Sequence, residues 1–356
     1  MHNDGLSGRR QNCMEKTQWT AHDVQLMQRC LWLASQGRLL SRPNPMVGAV
    51  IVAADGRILG EGYHARCGEG HAEVNAFASV SSADEPLLRQ SAIYVSLEPC
   101  SHYGKTPPCA ELIISKGVRR CVVGTTDPFA RVQGRGIAML RQAGIAVEVG
   151  LLEQECQWLN RRFFTFHRLQ RPHILLKWAQ TADGFLDDHG RALALSTPFT
   201  QLLMHRVRQR EDAIVVGHTT WQREHPRLDA RLWGGPSPRR FVLGTSLSGA
   251  LPAGYIQAGS IADLLGQCRE QQLQSLIVEG GGTTLRTFLQ QGLYDELRVE
   301  TAPVLTGGGT AAPPLPSDIV LTRQEHHDGN VISHYRRQTD TQEEDVSLTD
   351  GTNTHL

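Results

Sequence analysis

The chain has 356 residues, of which 36 are basic and 36 acidic, so its formal net charge is zero. A balanced chain of this kind has no global field to recruit nucleic acid or an anionic membrane. Its 40% hydrophobic residues are enough to fill the roughly two domains that this length implies. Residues 1–19 are polar, with no apolar run of the secretory kind. No stretch approaches the ~18 apolar residues of a membrane span. The cysteines at 13, 30, 67, 121, 156 and 268 follow no disulfide framework, so free thiols in a reducing cytoplasm are expected.

In chain order, residues 1–20 read as a disordered lead-in. Val24, Met27, Leu31 and Ala34 share one face of a helix over Ala21–Gln36, with Thr20 as N-cap and Gly37 as its stop. Pro43-Asn44-Pro45 forces an extended turn. Val47–Ala53 and Arg57–Tyr63 read as a hairpin around Asp55-Gly56. A helix then starts at His71-Ala72-Glu73 and runs through Val80, followed by a loop over Ala83–Ser91 and a strand over Ile93–Leu97. Pro99 is read as a helix start, a position that tolerates its missing N–H, with the helix continuing over Ala110–Lys116. Strand Arg120–Gly124, helix Gly136–Ala143 and strand Ala146–Val149 complete a ββαβαβαβ layer over 21–152.

Glu153–Leu169 is an amphipathic helix, taken as a linker over 153–171 and punctuated by Arg171-Pro172. A second alternation fills 172–337. It has a strand over His173–Ala179, a helix capped by Thr197-Pro198, and strands at Ala213–Gly217 and Phe241–Leu243. A helix over Ile261–Gln271 and a strand over Ser275–Val278 lead into Glu279-Gly280-Gly281-Gly282 and a further helix. Strands Glu296–Thr301 and Val331–Tyr335 close it, and the segment between Leu243 and Ser275 is read as lacking a strand and its loop. Residues 338–356 are polar and acidic and read as a disordered tail.

The chemistry concentrates between His71 and Cys109. A catalytic zinc takes three protein ligands and keeps one position open for water. His71, Cys100 and Cys109 would supply the three, and Glu73 would move protons without touching the metal. Two residues on a helix diverge by about 200°, which lets His71 bind and Glu73 stand beside. A closed structural zinc would want a fourth ligand, which His64, Cys67 or His102 could supply, but such a site has no use for Glu73. The pattern follows the His-x-Glu…Pro-Cys signature of zinc deaminases, except that its cysteines are nine apart. In that chemistry zinc-bound hydroxide attacks an amidine-like carbon, and Glu73 carries protons to the ring nitrogen and the leaving amine.

Several motifs together narrow this. Pro43-Asn44-Pro45-Met46-Val47-Gly48, Gly62-Tyr63-His64, His71-Ala72-Glu73-Val74-Asn75-Ala76, and the run from Leu97-Glu98-Pro99-Cys100 through Thr106-Pro107-Pro108-Cys109 closely resemble the bifunctional riboflavin-biosynthesis deaminase/reductase family. So do Asp127-Pro128 and Gly134-Arg135-Gly136. The resemblance implies an α/β chain with an N-terminal cytidine-deaminase-like three-layer domain and a C-terminal dihydrofolate-reductase-like domain. It implies deamination of a diaminopyrimidinone that carries a ribosylamino phosphate, with Asn44, His64 and Lys105 holding this substrate. It also implies a homo-oligomer, dimer or tetramer, while the balanced charge leads us to expect no nucleic-acid or membrane partner.

The second half carries Leu176-Lys177-Trp178-Ala179, Asp183-Gly184, Val278-Glu279-Gly280-Gly281 and Gly292-Leu293-Tyr294-Asp295-Glu296, similar to the same family's reductase. The resemblance implies that NADPH reduces the ribosyl unit to a ribityl one. Arg208, Leu228, Arg231 and Glu279 would face substrate, and Gln180, Thr220, Glu224, Gly281, Gly282 and Thr283 the cofactor. The sequence departs from the family at Glu224-His225-Pro226, where Asp-Asn-Pro is usual, at Ala194 (often Trp) and at Gly244 (often Asp). A deaminase whose second domain serves only dimerisation or substrate binding is therefore the competing expectation.

Overall fold

The computed structural model describes residues 19–103, 107–129, 133–245 and 251–338. The lead-in 1–20, except its last two residues, and the tail after residue 338 lie outside them, as does Lys105. The chain divides into two compact units between Asn160 and Arg161.

The first unit opens with α1 (Ala21–Gln36). Thr20 accepts from the Asp23 backbone and Asp23 accepts back from Thr20, a reciprocal capping box. Strands β1 (Gly48–Val52) and β2 (Ile58–Tyr63) form the hairpin, and α2 (Ala72–Ala78) follows. The stretch expected as loop contains a short 3₁₀ helix at Glu85–Gln90. Then come β3 (Ala92–Val95), α3 (Cys109–Lys116), β4 (Arg120–Val123), α4 (Arg135–Gln142), β5 (Ala146–Val149) and α5 (Glu153–Leu159). The sheet order is β2-β1-β3-β4-β5, with β3, β4 and β5 parallel and the β1 pairings antiparallel.

Strand alternation makes three layers of it. Ala49, Ile51, Ile93, Val95, Cys121 and Val123 face a core shared with α2, α3 and α4. Val50, Val52, Tyr94 and Val122 face the other way, onto α1 and α5. Glycines let helices approach closely. A Cβ on Gly62 would lie 2.4 Å from the Ala76 nitrogen, and one on Gly48 would lie 2.0 Å from the Cys30 carbonyl oxygen. The helix that begins beside His71 therefore lies directly against β2.

The helix expected over Glu153–Leu169 is two helices, α5 and α6 (Arg161–Leu169), broken at Asn160. The buried Asn160 side chain donates to the Met46 carbonyl at 2.7 Å and accepts from its N–H at 2.8 Å. This tertiary demand halts the helix.

The second unit continues with β6 (His173–Thr181), α7 (Pro198–Gln209), β7 (Ala213–Gly217), α8 (His218–Glu224), β8 (Arg239–Leu243), β9 (Tyr255–Ala258) and α9 (Ile261–Glu270). After β10 (Ser275–Val278) come α10 (Gly282–Gln290), β11 (Glu296–Ala302), β12 (Ile319–His327) and β13 (Asn330–Arg337). Its sheet runs β12-β13-β11-β6-β10-β7-β8-β9, parallel from β11 to β9 and closed at the other edge by an antiparallel hairpin. The strand thought to be missing after Leu243 is present as β9, paired with β8. It has only four residues and no run of apolar side chains to announce it. Leu285 and Phe288 of α10 and Leu264 of α9 cover one sheet face, while Met204 of α7 covers the other with Ile214, Val216 and Ile277.

Candidate active sites

His71 is the N-cap of α2, and Glu73 lies in that helix's first turn, 3% exposed. Cys109 is the first residue of α3, whereas Cys100 lies in the segment before it. The helix expected to start at Pro99 thus starts at Cys109, after Pro108. Its first N–H points at the other cysteine, from Cys109 N to Cys100 Sγ at 3.2 Å. The Ala110 N–H donates to the Cys100 carbonyl at 3.1 Å.

His71 Nδ1 is 3.5 Å from Cys100 Sγ and 3.4 Å from Cys109 Sγ. All three candidate ligand atoms lie within 4.8 Å of one another. A tetrahedral zinc with ordinary Zn–S and Zn–N bonds spaces its sulfur and nitrogen by about 3.6 Å, so the donor set fits that ion. A hydrogen bond with Cys109, followed by His71, holds the Cys100 thiol well below its ordinary value. Burial, then the Cys100 charge, pushes Glu73 up, which would suit the proton carrier expected there.

His64 stands edge-on to His71, with ring centroids 5.3 Å apart. Its Nδ1 is 3.1 Å from the Gly70 carbonyl and its Nε2 is 3.1 Å from Asn44 Nδ2. A carbonyl only accepts and an amide nitrogen only donates, so the neutral ring carries its proton on Nδ1 and accepts at Nε2. Burial pushes the His64 pKa down, which keeps that form. Asn44 and His64, both expected at the substrate, are therefore joined beside the cysteine–histidine triad.

In the second unit Arg208 and Glu279 form a two-point ion pair, Nε to Oε1 at 3.0 Å and Nη2 to Oε2 at 2.7 Å. Arg208 also donates to the Asp229 carbonyl at 3.3 Å. Arg231 pairs with the Asp229 carboxylate at 2.5 Å. Leu228 is buried, its side chain packed in the core with Met204 and Trp221 and its backbone left-handed at φ 52°. Thr220 Oγ1 accepts from the Gly281 N–H at 3.1 Å, which ties α8 to the turn opening α10. Gly280 and Gly217 are needed for close approach, because a Cβ on either would strike Thr284. Gly282 begins α10 and Thr283 is exposed in its first turn, an arrangement suited to phosphate. Gln180 accepts from Trp178 Nε1 at 2.8 Å, and Glu224 is exposed at the end of α8, four residues after Thr220.

Residues 20–125 match the family described as cytidine and deoxycytidylate deaminase zinc-binding region, and residues 172–329 match the RibD C-terminal domain. The riboflavin biosynthesis protein RibD of Actinobacillus pleuropneumoniae is 34% identical over 83% of this chain and 88% of its own length. That of Bacillus amyloliquefaciens is 36% identical over 82% and 87%. The chain belongs to the RibD family.

Among solved structures, a diaminohydroxyphosphoribosylaminopyrimidine deaminase/5-amino-6-(5-phosphoribosylamino)uracil reductase of Thermotoga maritima is similar, with 30% identity and a TM-score of 0.80. The match covers 90% of this chain and all of that one. Acinetobacter baumannii RibD aligns with a TM-score of 0.79 at 29% identity, covering 89% of this chain and 99% of its own.

Reading motifs alone left out several residues of this RibD chain. Glu98, 3% exposed, accepts from the backbone of Asp127, Gly134, Gly136 and Ile137 at 2.9–3.4 Å. It thereby fixes the Asp127-Pro128 and Gly134-Arg135-Gly136 segments next to Cys100, and a Cβ on Gly136 would meet the Pro99 carbonyl oxygen at 2.0 Å. Asn75 donates to the carbonyls of Tyr63 and Gly70, holding the turn before His71. Lys177, on the same sheet face as Glu279, interacts with Glu279 and Arg208, and burial pushes its pKa down. A lysine inside the apolar strand His173–Thr181 was the available signal. The departure at His225 has a local reading, since it takes the left-handed position (φ 43°) after α8, which Asn tolerates better.

Proposed function

We propose that this chain catalyses two consecutive steps of riboflavin biosynthesis. The first is zinc-dependent hydrolytic deamination of 2,5-diamino-6-(5-phosphoribosylamino)pyrimidin-4-one, and the second is NADPH-dependent reduction of the ribosyl to a ribityl side chain. The observation that carries the first step is His71 Nδ1 at 3.4–3.5 Å from both thiols, with the buried Glu73 alongside. Zinc, when bound, supplies a water acidic enough to ionise near neutral pH. Glu73 would carry one proton of that water to the ring nitrogen and the other to the amino group, which leaves as ammonia while the water oxygen becomes the new carbonyl. Asn44 and His64, fixed to each other, orient the pyrimidine, and Lys105 holds its phosphorylated arm.

In the second unit NADPH, when bound, supplies the hydride. Gly281, Gly282 and Thr283 at the start of α10 hold its phosphates, with Gln180, Thr220 and Glu224 flanking. Arg208 and Arg231 take the substrate phosphate, while Glu279 and Lys177 stand at the sugar that is reduced and Leu228 borders it. The paired Arg208–Glu279 and the match over 172–329 support an active reductase over a merely structural domain. The substitution E279Q separates the readings. It is expected to cut NADPH oxidation at least roughly 100-fold while ammonia release persists. Unchanged NADPH oxidation in E279Q would remove Glu279 from the site, and a wild-type chain that releases ammonia but never oxidises NADPH would restore the deaminase-only reading.

We also assign the chain to a homo-oligomer, dimer or tetramer, in the cytoplasm, a setting in keeping with its free described cysteines. Light scattering giving a monomer's mass would refute the oligomer. No helix among the described residues is long and apolar enough to cross a membrane.

A further inference from the structure

One buried imidazole in the second unit is used by none of the steps above. His205 is 4% exposed on α7, one helical turn before Arg208 and on the same face. Its Nδ1 is shut off from solvent and has no hydrogen-bond partner among the described residues. The nearest carboxylate oxygen, Asp229 Oδ1, is 4.0 Å away, beyond hydrogen-bond reach, and is already taken by Arg231. An unsatisfied buried ring nitrogen is costly, so a role is to be sought for it.

Counting charges supplies one. Both arginines assigned to the substrate phosphate are already paired, Arg208 with Glu279 and Arg231 with Asp229. Lys177 adds one cation, and Arg298 and Glu300, which also act on it, offset each other. Three cations thus face two carboxylates. A phosphomonoester near neutral pH carries close to two negative charges. Its arrival would leave one uncompensated negative charge in a half-buried site, which is unfavourable. The groups that act on His205 are Arg208 on its own helix, Arg231 and Asp229 in the segment after α8, and Glu279 after β10. Burial first, then the two arginines, keep the ring neutral in the free protein. A phosphate dianion between those arginines reverses their effect.

We propose that His205 is a proton-linked third cation of the reductase's phosphate site, neutral in the free protein and charged when a phosphomonoester dianion seats between Arg208 and Arg231. This rests on the assignment of those two arginines to the substrate phosphate. The proton comes from solvent and stays on the ring while the phosphate is bound, so binding and proton uptake are the same event. His205 is a positioning residue here, since it need not touch the phosphate to compensate it.

The test is calorimetric titration of the full chain with ribose 5-phosphate at pH 7.5, in two buffers of different ionisation enthalpy. At that pH the phosphate, with a second pKa of about 6, is already ionised and contributes almost no uptake itself. The wild type is expected to take up roughly half a proton or more per ligand bound, and H205Q to take up almost none while binding roughly tenfold more weakly. Subtracting H205Q also removes any contribution from the phosphate contacts of the deaminase half. A second measurement needs no variant. One histidine ring resonance should titrate at higher pH with ribose 5-phosphate than in the free chain, far enough to leave that ring at least about half protonated at the pH of the calorimetry. Binding without uptake, uptake that survives in H205Q, or histidine resonances that do not move would overturn the role of His205 and leave the arginines in place. R208Q and R231Q chains that bind ribose 5-phosphate as tightly as wild type would instead overturn the phosphate site itself.

Discussion

The backbone N–H of Cys109 donates to Cys100 Sγ across 3.2 Å, so the first turn of α3 is aimed at the other thiol of the pair. A helix start favours negative charge, and here it favours the thiolate that a metal would bind. Replacing Cys100 by Ser keeps a small polar side chain but removes that thiolate. We expect C100S to purify with almost no zinc by elemental analysis while remaining folded. Wild-type zinc content in C100S would overturn the ligand assignment.

Glu73 is held as a buried acid next to the triad rather than within it. The E73Q chain should retain zinc and bind the pyrimidine yet release ammonia at least about 100-fold more slowly, the usual worth of a positioned acid–base group. Turnover close to wild type would take Glu73 out of the mechanism.

Gly62 tests how tightly α2 is pressed on the sheet. The Cβ of G62A would meet the Ala76 nitrogen at 2.4 Å and the Ala72 oxygen at 2.7 Å, both backbone atoms that cannot swing away. The cost should be about 1–3 kcal/mol, read as a lower midpoint in thermal unfolding and as weaker zinc retention, because His71 caps that helix. An unchanged midpoint would show that α2 can shift freely.

Asp23 gives a pH signature. Burial raises its pKa, but hydrogen bonds from Thr20, Tyr94 and Arg120 outweigh that and hold the carboxyl well below the usual range. A carboxyl lowered on folding stabilises the protein fully above its unfolded pKa of about 4, and that stability is lost as pH falls below it. Urea midpoints of the wild type should therefore decline below about pH 4 more steeply than those of D23N, which starts lower at neutral pH. Parallel curves would contradict the role given to Asp23.

What was legible in the sequence was mostly local. Thr20 was readable as the N-cap of α1, though not its reciprocal bond with Asp23, and the expected His71, Cys100 and Cys109 ligand set rests on short motifs whose ligand atoms the fold brings within 4.8 Å of one another. The start of α3 was misplaced because Pro99 and Pro108 carry the same signal, and only packing selects between them. Glu98 and Asn160 act by holding backbone 29 to 39 and 114 residues away in sequence, which no local pattern encodes. Strand β12 escaped notice because, as an edge strand, it exposes Val320, Leu321 and Thr322 in succession, without the alternation of a half-buried strand. The pairing of Arg208 with Glu279 was likewise invisible, although each residue was expected at the substrate.

The most direct measurement follows ammonia release and NADPH absorbance together in one zinc-loaded sample supplied with the diaminopyrimidine substrate. Two steps in sequence on one chain predict that ammonia appears first and that NADPH is then consumed in equal amount, with both signals lost when zinc is stripped. NADPH consumption without prior ammonia release, or ammonia release that survives zinc removal, would contradict it.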